Sequence, residues 1–392
     1  MDLNYSPEQE RFRERVRSFL KANLPAGWGA AGYVPLRGQA YLEFMRDWTK
    51  RLADNGFLGM SWPKEYGGRD ASQIEMAIFN EEMARHRAPG PINIIGLTMA
   101  GPTLIVHGTA EQKRRHLSKT LSGEQMWCQG FSEPGAGSDL AALKTRAELR
   151  GDEFIVNGQK VWTSGAHLAD WCFLLVRTDP SAPKHRGISY LLVDMKTPGI
   201  TVRPLRQISG EAEFNEMFFE DVRVPRENLV GKLNDGWRVA MTTLSNERGT
   251  MAFALAARFE NTFNEVAELC RQMGAAQNPV ARQQIAQFYI DLQALKYSLY
   301  RDFSKLLRGD TPGPEGSISK IRWSELDQRM EEFAVALQGA GAQLTHGASY
   351  AIDSGRWQIQ LLRSRSATIG AGTSEIHRNT IAQRILGMPR GH

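Results

Sequence analysis

At 392 residues the chain exceeds what one compact core accommodates, and two or three domains are expected. Hydrophobic residues make up 42% and charged residues 23%, a globular balance that excludes wholesale disorder, and no uninterrupted apolar run is long enough to cross a bilayer. The net charge of +5 mildly favours acidic, phosphate-bearing ligands, but the basic residues are scattered, so neither nucleic-acid binding nor membrane insertion is expected.

The amino terminus, "MDLNYSPEQERFRERVRSFL", lacks the apolar core and cleavage site of a secretory signal and reads as a first helix. Ser6 is its cap, Pro7 its first residue, and Glu8, Gln9 and Glu10 fill the first turn. Three more helical patterns follow in "YLEFMRDWTKRLADNG", "QIEMAIFNEEMARHRA" and "AEQKRRHLSKTLSG", with Gly and Pro at the joints "WPKEYGGRD" and "APGPIN". Residues 1–122 are thus an N-terminal helical domain. Its densest basic cluster, Lys113 to His116, reads as a solvated helix end.

Over residues 123–233 the texture changes to short β-branched and aromatic runs: "DEFIVNGQKVWTS", "DWCFLLVRT", "GISYLLVDM", "GITVRPL" and "EMFFEDVRV". Asn157-Gly158 gives the signal of a hairpin between alternating strands. This is a small middle β domain. Cys128, Cys172 and Cys270 are isolated and lack metal-type spacing, which predicts a reducing, cytoplasmic setting and no metal site.

Over residues 234–392 long helical patterns return, through "QQIAQFYIDLQALKYSLYRDFSKLLRG", "RWSELDQRMEEFAVALQGAG" and "SEIHRNTIAQRILG", interrupted by one loop of substance, Gly309 to Ser317. The order helices, strands, helices predicts an α+β protein with segregated layers.

In "TLSNERGTMAFALAARF" the helical spacing puts Glu247 in the stripe of Ala240, Thr243, Leu244, Met251 and Ala254. A partly dehydrated carboxylate there needs a partner, a raised pKa or a catalytic task. A second unusual segment is "WCQGFSEPGAGSDLAALKTRA", Trp127 to Ala147. Pro134, Gly135 and Gly137 preclude regular structure there, and the glycines allow a ligand close to backbone N–H groups. A plain turn is the alternative reading. The segment is neither a GxGxxG fingerprint nor a P-loop.

Four segments, "SEPGAGSD" (Ser132 to Asp139), "GQKVWTSGA" (Gly158 to Ala166), "FNEMFFEDVRVP" (Phe214 to Pro225) and "GAGTSEIHRNTIAQRILG" (Gly370 to Gly387), together resemble the acyl-CoA dehydrogenase family, in the family's order and across nearly the whole chain. The resemblance implies an N-terminal helical domain, a middle β-barrel-like domain and a C-terminal helical bundle, with FAD bound between the β domain and the C-terminal helices. It implies that Gln129, Phe131 and Ser132 lie along the flavin through backbone groups, with Trp162 and Ser164 completing the wall. For Trp162 the bland alternative is a core aromatic. Ser138 matches a residue touching both the cofactor region and the CoA arm, and Thr373 and Glu375 match positions near the flavin's phosphate and ribose.

The family's usual catalytic glutamate is replaced here by Ala371. Glu247-Arg248 matches the pair that carries the base in members resembling isovaleryl- and long-chain acyl-CoA dehydrogenases. Glu247 is therefore the expected base, Arg248 and Ser138 flank the substrate, and the Ala371 amide polarises the thioester oxygen. The alternative for Glu247 is a buried ion pair. Glu133 and Glu375 are lesser candidates, and His377 reads as a helix-surface residue.

The implied activity is oxidation of an acyl-CoA to a trans-2-enoyl-CoA within fatty acid β-oxidation, with electrons passed to an electron-transfer flavoprotein. Desulfinase or oxidase chemistry on the same fold, or a non-catalytic acyl-CoA-binding subunit, are the rival readings. Gly370, Ala371 and Gly372 leave room for a bulky, branched or dicarboxylic acyl group, and the segment from Trp127 looks most like the large subunits of pimeloyl-CoA and steroid side-chain dehydrogenases. The family's Arg-x-x-Phe-Gly and Gln-x-x-Gly-Gly segments read "CRQMGAAQNPVARQ" and "LQGAGAQ" here. This leaves open a homo-oligomer, dimer or tetramer, and an α2β2 assembly with a related chain.

Overall fold

The computed structural model describes residues 5–29, 36, 38–246, 252–310 and 313–389. Helices α1 (Pro7–Asn23), α2 (Gly38–Asp54) and α3 (Gln73–Arg85), a π-helical turn (Gly96–Ala100), α4 (Gly101–His107) and α5 (Ala110–Ser122) precede the strands. The strands are β1 (Trp127–Gly130), β2 (Arg146–Arg150), β3 (Glu153–Ser164), β4 (Trp171–Arg177), β5 (Ile188–Asp194), β6 (Ile200–Leu205) and β7 (Phe214–Pro225). Helices α6 (Gly236–Asn246), α7 (Ala252–Gln272), α8 (Pro279–Leu307), α9 (Gly316–Leu337), α10 (Arg356–Ala367) and α11 (Ser374–Thr380) follow, ending in a second π-helical turn (Ile381–Ile385). The expected α+β succession of helical, barrel-like and helical segments is what forms.

Helix starts follow the local chemistry. Ser6 accepts from the Gln9 N–H at 3.2 Å while the Gln9 side chain accepts from the Ser6 N–H at 2.9 Å, a reciprocal cap. Ser72 with Glu75 and Thr109 with Gln112 repeat it at α3 and α5. The helical stretch Gly96–His107 is absent from the sequence patterns above, because Gly96, Gly101 and Pro102 read as breakers.

Two compact units form. One holds the strands with α2, α4, α5 and α6. Its sheet runs β1-β4-β2-β3-β7-β6, with β5 on β4. β4 and β5 are buried along nearly their whole length, as their near-continuous apolar runs require, whereas β6, with Pro204, is an edge strand of alternating exposure. Phe154, Val156, Leu174, Val176, Leu191, Val193, Met217 and Val222 fill the core, each large side chain contributing about 1.5–3 kcal/mol.

Asn157-Gly158 is not a hairpin. β3 runs straight through it and bulges against β7, and the hairpin lies at Gly151-Asp152, where β2 turns into β3. Gly158 is needed for approach: a Cβ there would sit 2.6–2.8 Å from Thr145. The Lys113–His116 cluster also differs from expectation, since it lies mid-helix in α5 and His116 is fully buried, its ring edge-on to Trp127 and Trp171.

The other unit gathers α1, α3 and α7 to α11. Phe259, Val266, Phe288, Leu292, Leu295, Met330 and Trp357 form its core. The three cysteines are free and buried.

Candidate active site

In the sheet unit the chain leaves β1 at Gly130 and enters the segment "SEPGAGSD". The Phe131 ring is buried, edge-on to Phe173 at 5.6 Å and Tyr190 at 6.1 Å, so only its backbone remains for a ligand. Glu133 holds the segment from inside. Its carboxylate accepts from the N–H of Lys144 at 2.7 Å and of Thr145 at 2.9 Å, and from Lys160 Nζ at 2.8 Å. Lys160, fully buried, also donates to the Phe131 carbonyl at 3.0 Å. Burial pulls the Glu133 carboxyl upward, but the Lys160 charge and these hydrogen bonds outweigh it and hold the group below its ordinary value. Glu133 is thus committed to structure rather than to proton transfer.

Beside it, β3 bulges between Lys160 and Thr163. Trp162, in this bulge, has φ +60° and is 61% exposed, touching Phe214 edge-on at 6.0 Å. A left-handed backbone at a bulky aromatic costs about 1–3 kcal/mol, and no core burial offsets it. The core-aromatic alternative is therefore excluded. The Val161 N–H donates to the Ser132 carbonyl at 2.9 Å, tying the bulge to the segment. Asn215 Nδ2 donates to the Thr163 carbonyl at 3.0 Å, and Ser164 pairs with Phe214. Gln129, Ser132 and Ser164 are half-buried and Ser138 is exposed. A Cβ added at Gly135 or Gly137 would meet nothing within 4 Å. An exposed indole, two open glycines and a rigidly held backbone suit a planar, polar-edged group such as a flavin.

Ala371, Thr373 and Glu375 belong to the helical unit. Between α10 and α11 the chain turns through Ala371 (φ +53°) and Gly372 (φ +94°). The N–H groups of Ala371 and Gly372 donate to no acceptor among the described residues. Thr373 caps α11 by accepting from the Ile376 N–H at 3.2 Å. Glu375 is exposed in the first turn, where its own backbone N–H and the Thr373 hydroxyl keep its carboxyl below the usual value. His377 is not a surface residue: it is buried, with Nε2 3.1 Å from the Ala371 carbonyl and Nδ1 3.0 Å from Ser317 Oγ.

Glu247 and Arg248 lie outside the described residues, between the bounds of α6 and α7. Of the stripe in which Glu247 was read, Ala240, Thr243 and Ala254 are buried. Sequence reasoning missed the Lys160–Glu133 pair and the His377 contacts, since both depend on partners far apart in the chain.

Comparison with known proteins places the chain. It matches the acyl-CoA dehydrogenase N-terminal domain over residues 6–124, the middle domain over 128–222 and the C-terminal domain over 234–386. The acyl-CoA dehydrogenase IpdE1 of Mycobacterium tuberculosis is 41% identical over 385 residues, 97% of this chain and 98% of that one. Among solved structures, the Tcur3481-Tcur3483 steroid ACAD is 32% identical with a TM-score of 0.86, and the ChsE4-ChsE5 complex from Mycobacterium tuberculosis is 30% identical with a TM-score of 0.85; each match covers 100% of both chains. Members of this family are flavoproteins that bind FAD. Among the described residues, no helix is long and apolar enough to cross a membrane. The chain belongs to the acyl-CoA dehydrogenase family and is an oxidoreductase.

Proposed function

We propose that this protein binds FAD and oxidises a bulky, ring-bearing acyl-CoA thioester to its trans-2-enoyl-CoA, passing the electrons to an electron-transfer flavoprotein in the cytoplasm. The observation that carries this reading is Trp162, strained and exposed in the β3 bulge and tied through Val161 to the segment that follows β1.

In this reading Gln129, Phe131 and Ser132 present backbone groups to the flavin, Trp162 and Ser164 form its wall, and Thr373 and Glu375 hold its phosphate and ribose end. Ser138 and Arg248 contact the substrate. The Ala371 N–H receives the thioester oxygen, which acidifies the α-carbon. Glu247, read as the base from its place before Arg248 in the sequence, removes the α-proton. Bound FAD supplies the acceptor for the β-hydride, so the two C–H bonds broken account for the two electrons and one proton that leave with it and the proton on Glu247.

Ring-bearing substrates are supported by the small Gly370-Ala371-Gly372 wall and by the steroid ACAD among the similar structures. Assembly as α2β2 with a related chain, rather than as a homodimer or homotetramer, is supported by the two-component composition of both structural relatives and by the altered "LQGAGAQ" segment. The test is the visible spectrum of the purified protein, with FAD quantified per chain, before and after anaerobic addition of acyl-CoAs of graded bulk. Bleaching by bulky thioesters supports the reading, and full flavin that no acyl-CoA reduces rejects it. Glu247→Gln, which keeps shape and loses basicity, is expected to abolish bleaching with flavin content unchanged.

A further inference from the structure

The turn that carries Ala371 is held from α9 at both ends. At its start Lys320 Nζ donates to the Ala367 carbonyl at 2.7 Å, and Gln328 Nε2 donates to the Ser364 carbonyl and to Thr368 Oγ1, each at 3.0 Å. At its end stands His377, between Ser317 on α9 and the Ala371 carbonyl. A carbonyl only accepts, so Nε2 carries the proton; Nδ1 then accepts from the Ser317 hydroxyl. The hydrogen bonds thus run one way, from Ser317 through the imidazole to Ala371.

The imidazole also presses its Nε2 edge against the turn: a Cβ on Gly372 would sit 2.8 Å from Nε2. Two successive residues here have positive φ, and for Ala371, which carries a Cβ, that strained conformation persists only where its surroundings enforce it. The His377 bond to the Ala371 carbonyl fixes the peptide plane joining Ala371 to Gly372 and with it the Gly372 N–H; the unbonded Ala371 N–H lies in the preceding plane and keeps its direction as long as Ala371 holds its left-handed φ.

We infer that His377 is a positioning residue for the reaction: set by Ser317, it locks the Ala371–Gly372 turn in the left-handed form that presents the Ala371 N–H to the thioester oxygen. The inference rests on the proposed role of that N–H and adds to it a residue that acts through the turn.

The test uses the full-length enzyme with its flavin, in wild-type form and as His377→Ala, His377→Gln and Ser317→Ala. Flavin content and thermal midpoint establish integrity. Turnover is measured with the best acyl-CoA of the panel, and the carbonyl stretch of a bound, non-oxidisable 3-thia-acyl-CoA is read by infrared difference spectroscopy. His377→Ala is expected to lower kcat by about 10- to 100-fold with KM within about threefold, and to return the carbonyl stretch toward its value in water. His377→Gln, able to donate to one partner and accept from the other, restores most of both. Ser317→Ala has a smaller effect in the same direction.

A folded, flavin-replete His377→Ala enzyme with wild-type kcat and carbonyl stretch overturns the inference. Should His377→Ala not fold, Ser317→Ala decides, and a wild-type stretch there overturns it equally. A carbonyl left unpolarised by the wild-type enzyme overturns the reading of Ala371 itself, and is thereby distinguished from failure of the positioning role alone.

Discussion

Lys160 and Glu133, 27 residues apart, meet inside the sheet unit with Nζ 2.8 Å from Oε1, and both are almost wholly buried. Each carries a second duty, Lys160 to the Phe131 carbonyl and Glu133 to the N–H groups of Lys144 and Thr145. The pair therefore fixes the backbone at both ends of the segment proposed to border the flavin. Replacing Lys160 with Met leaves a buried, uncompensated carboxylate, and about 3–5 kcal/mol of stability is expected to be lost. Denaturant midpoint and flavin content should fall together. Because the Glu133 carboxyl is held below the ordinary glutamate value of 4.5, its stabilising contribution is complete above that pH and is lost as pH falls through the lower, folded value. Flavin release on acidification is expected to follow that loss.

Trp162 gives a prediction of opposite signs. Trp162→Gly relieves the left-handed backbone and is expected to raise the stability of the flavin-free protein by about 1 kcal/mol. Flavin affinity should fall at the same time. Thermal midpoints with and without added FAD measure both, and a variant that binds FAD as wild type does rules the indole out of the flavin wall.

Glu331, one turn from Asp327 on α9, is buried with Oε2 bonded to nothing among the described residues. Burial, then Asp327, pushes its carboxyl up to about 8, against the opposing pull of Arg356 and Arg258. The native chain thus keeps a proton that the unfolded chain releases above about 4.5. Stability must fall as pH rises through that window, by about 1.4 kcal/mol per unit and a few kcal/mol in total. Glu331→Gln is expected to flatten the profile between pH 5 and 8, read by urea unfolding at several pH values. An unchanged slope would assign the effect to another group.

His116 acts in the opposite sense. Burial drives its imidazole down to about 4, so on acidification the unfolded chain takes up a proton near 6.5 that the native chain accepts only near 4. Stability is expected to fall as pH drops across that interval. His116→Asn should reduce the slope in the same unfolding series.

Much of this was legible in the sequence, and the reasons are local. Ser6-Pro7 specifies a helix start through atoms three residues apart, and the near-continuous apolar runs of β4 and β5 announce burial on both faces. The proposed flavin-wall positions were found through a motif, and the bulge then showed why Trp162 stands out of the core. Asn157-Gly158 misled because a glycine required by a crossing Thr145 backbone looks, in one dimension, the same as one required by a turn. His377 misled for a related reason. Its place on α11 suggested solvent, and only Ser317, 60 residues earlier, makes that face an interior one.

The left-handed backbone at Ala371 also limits how the chain can be re-tailored at this wall. Glycine, asparagine and aspartate tolerate such a conformation, whereas valine, isoleucine and threonine, branched at Cβ, are strongly disfavoured. Among the residues that would narrow the space beside Ala371, the β-branched ones are those its backbone disfavours most. In the proposed role of Ala371 beside the thioester, a β-branched residue that narrowed the space would work against the turn that aims its N–H.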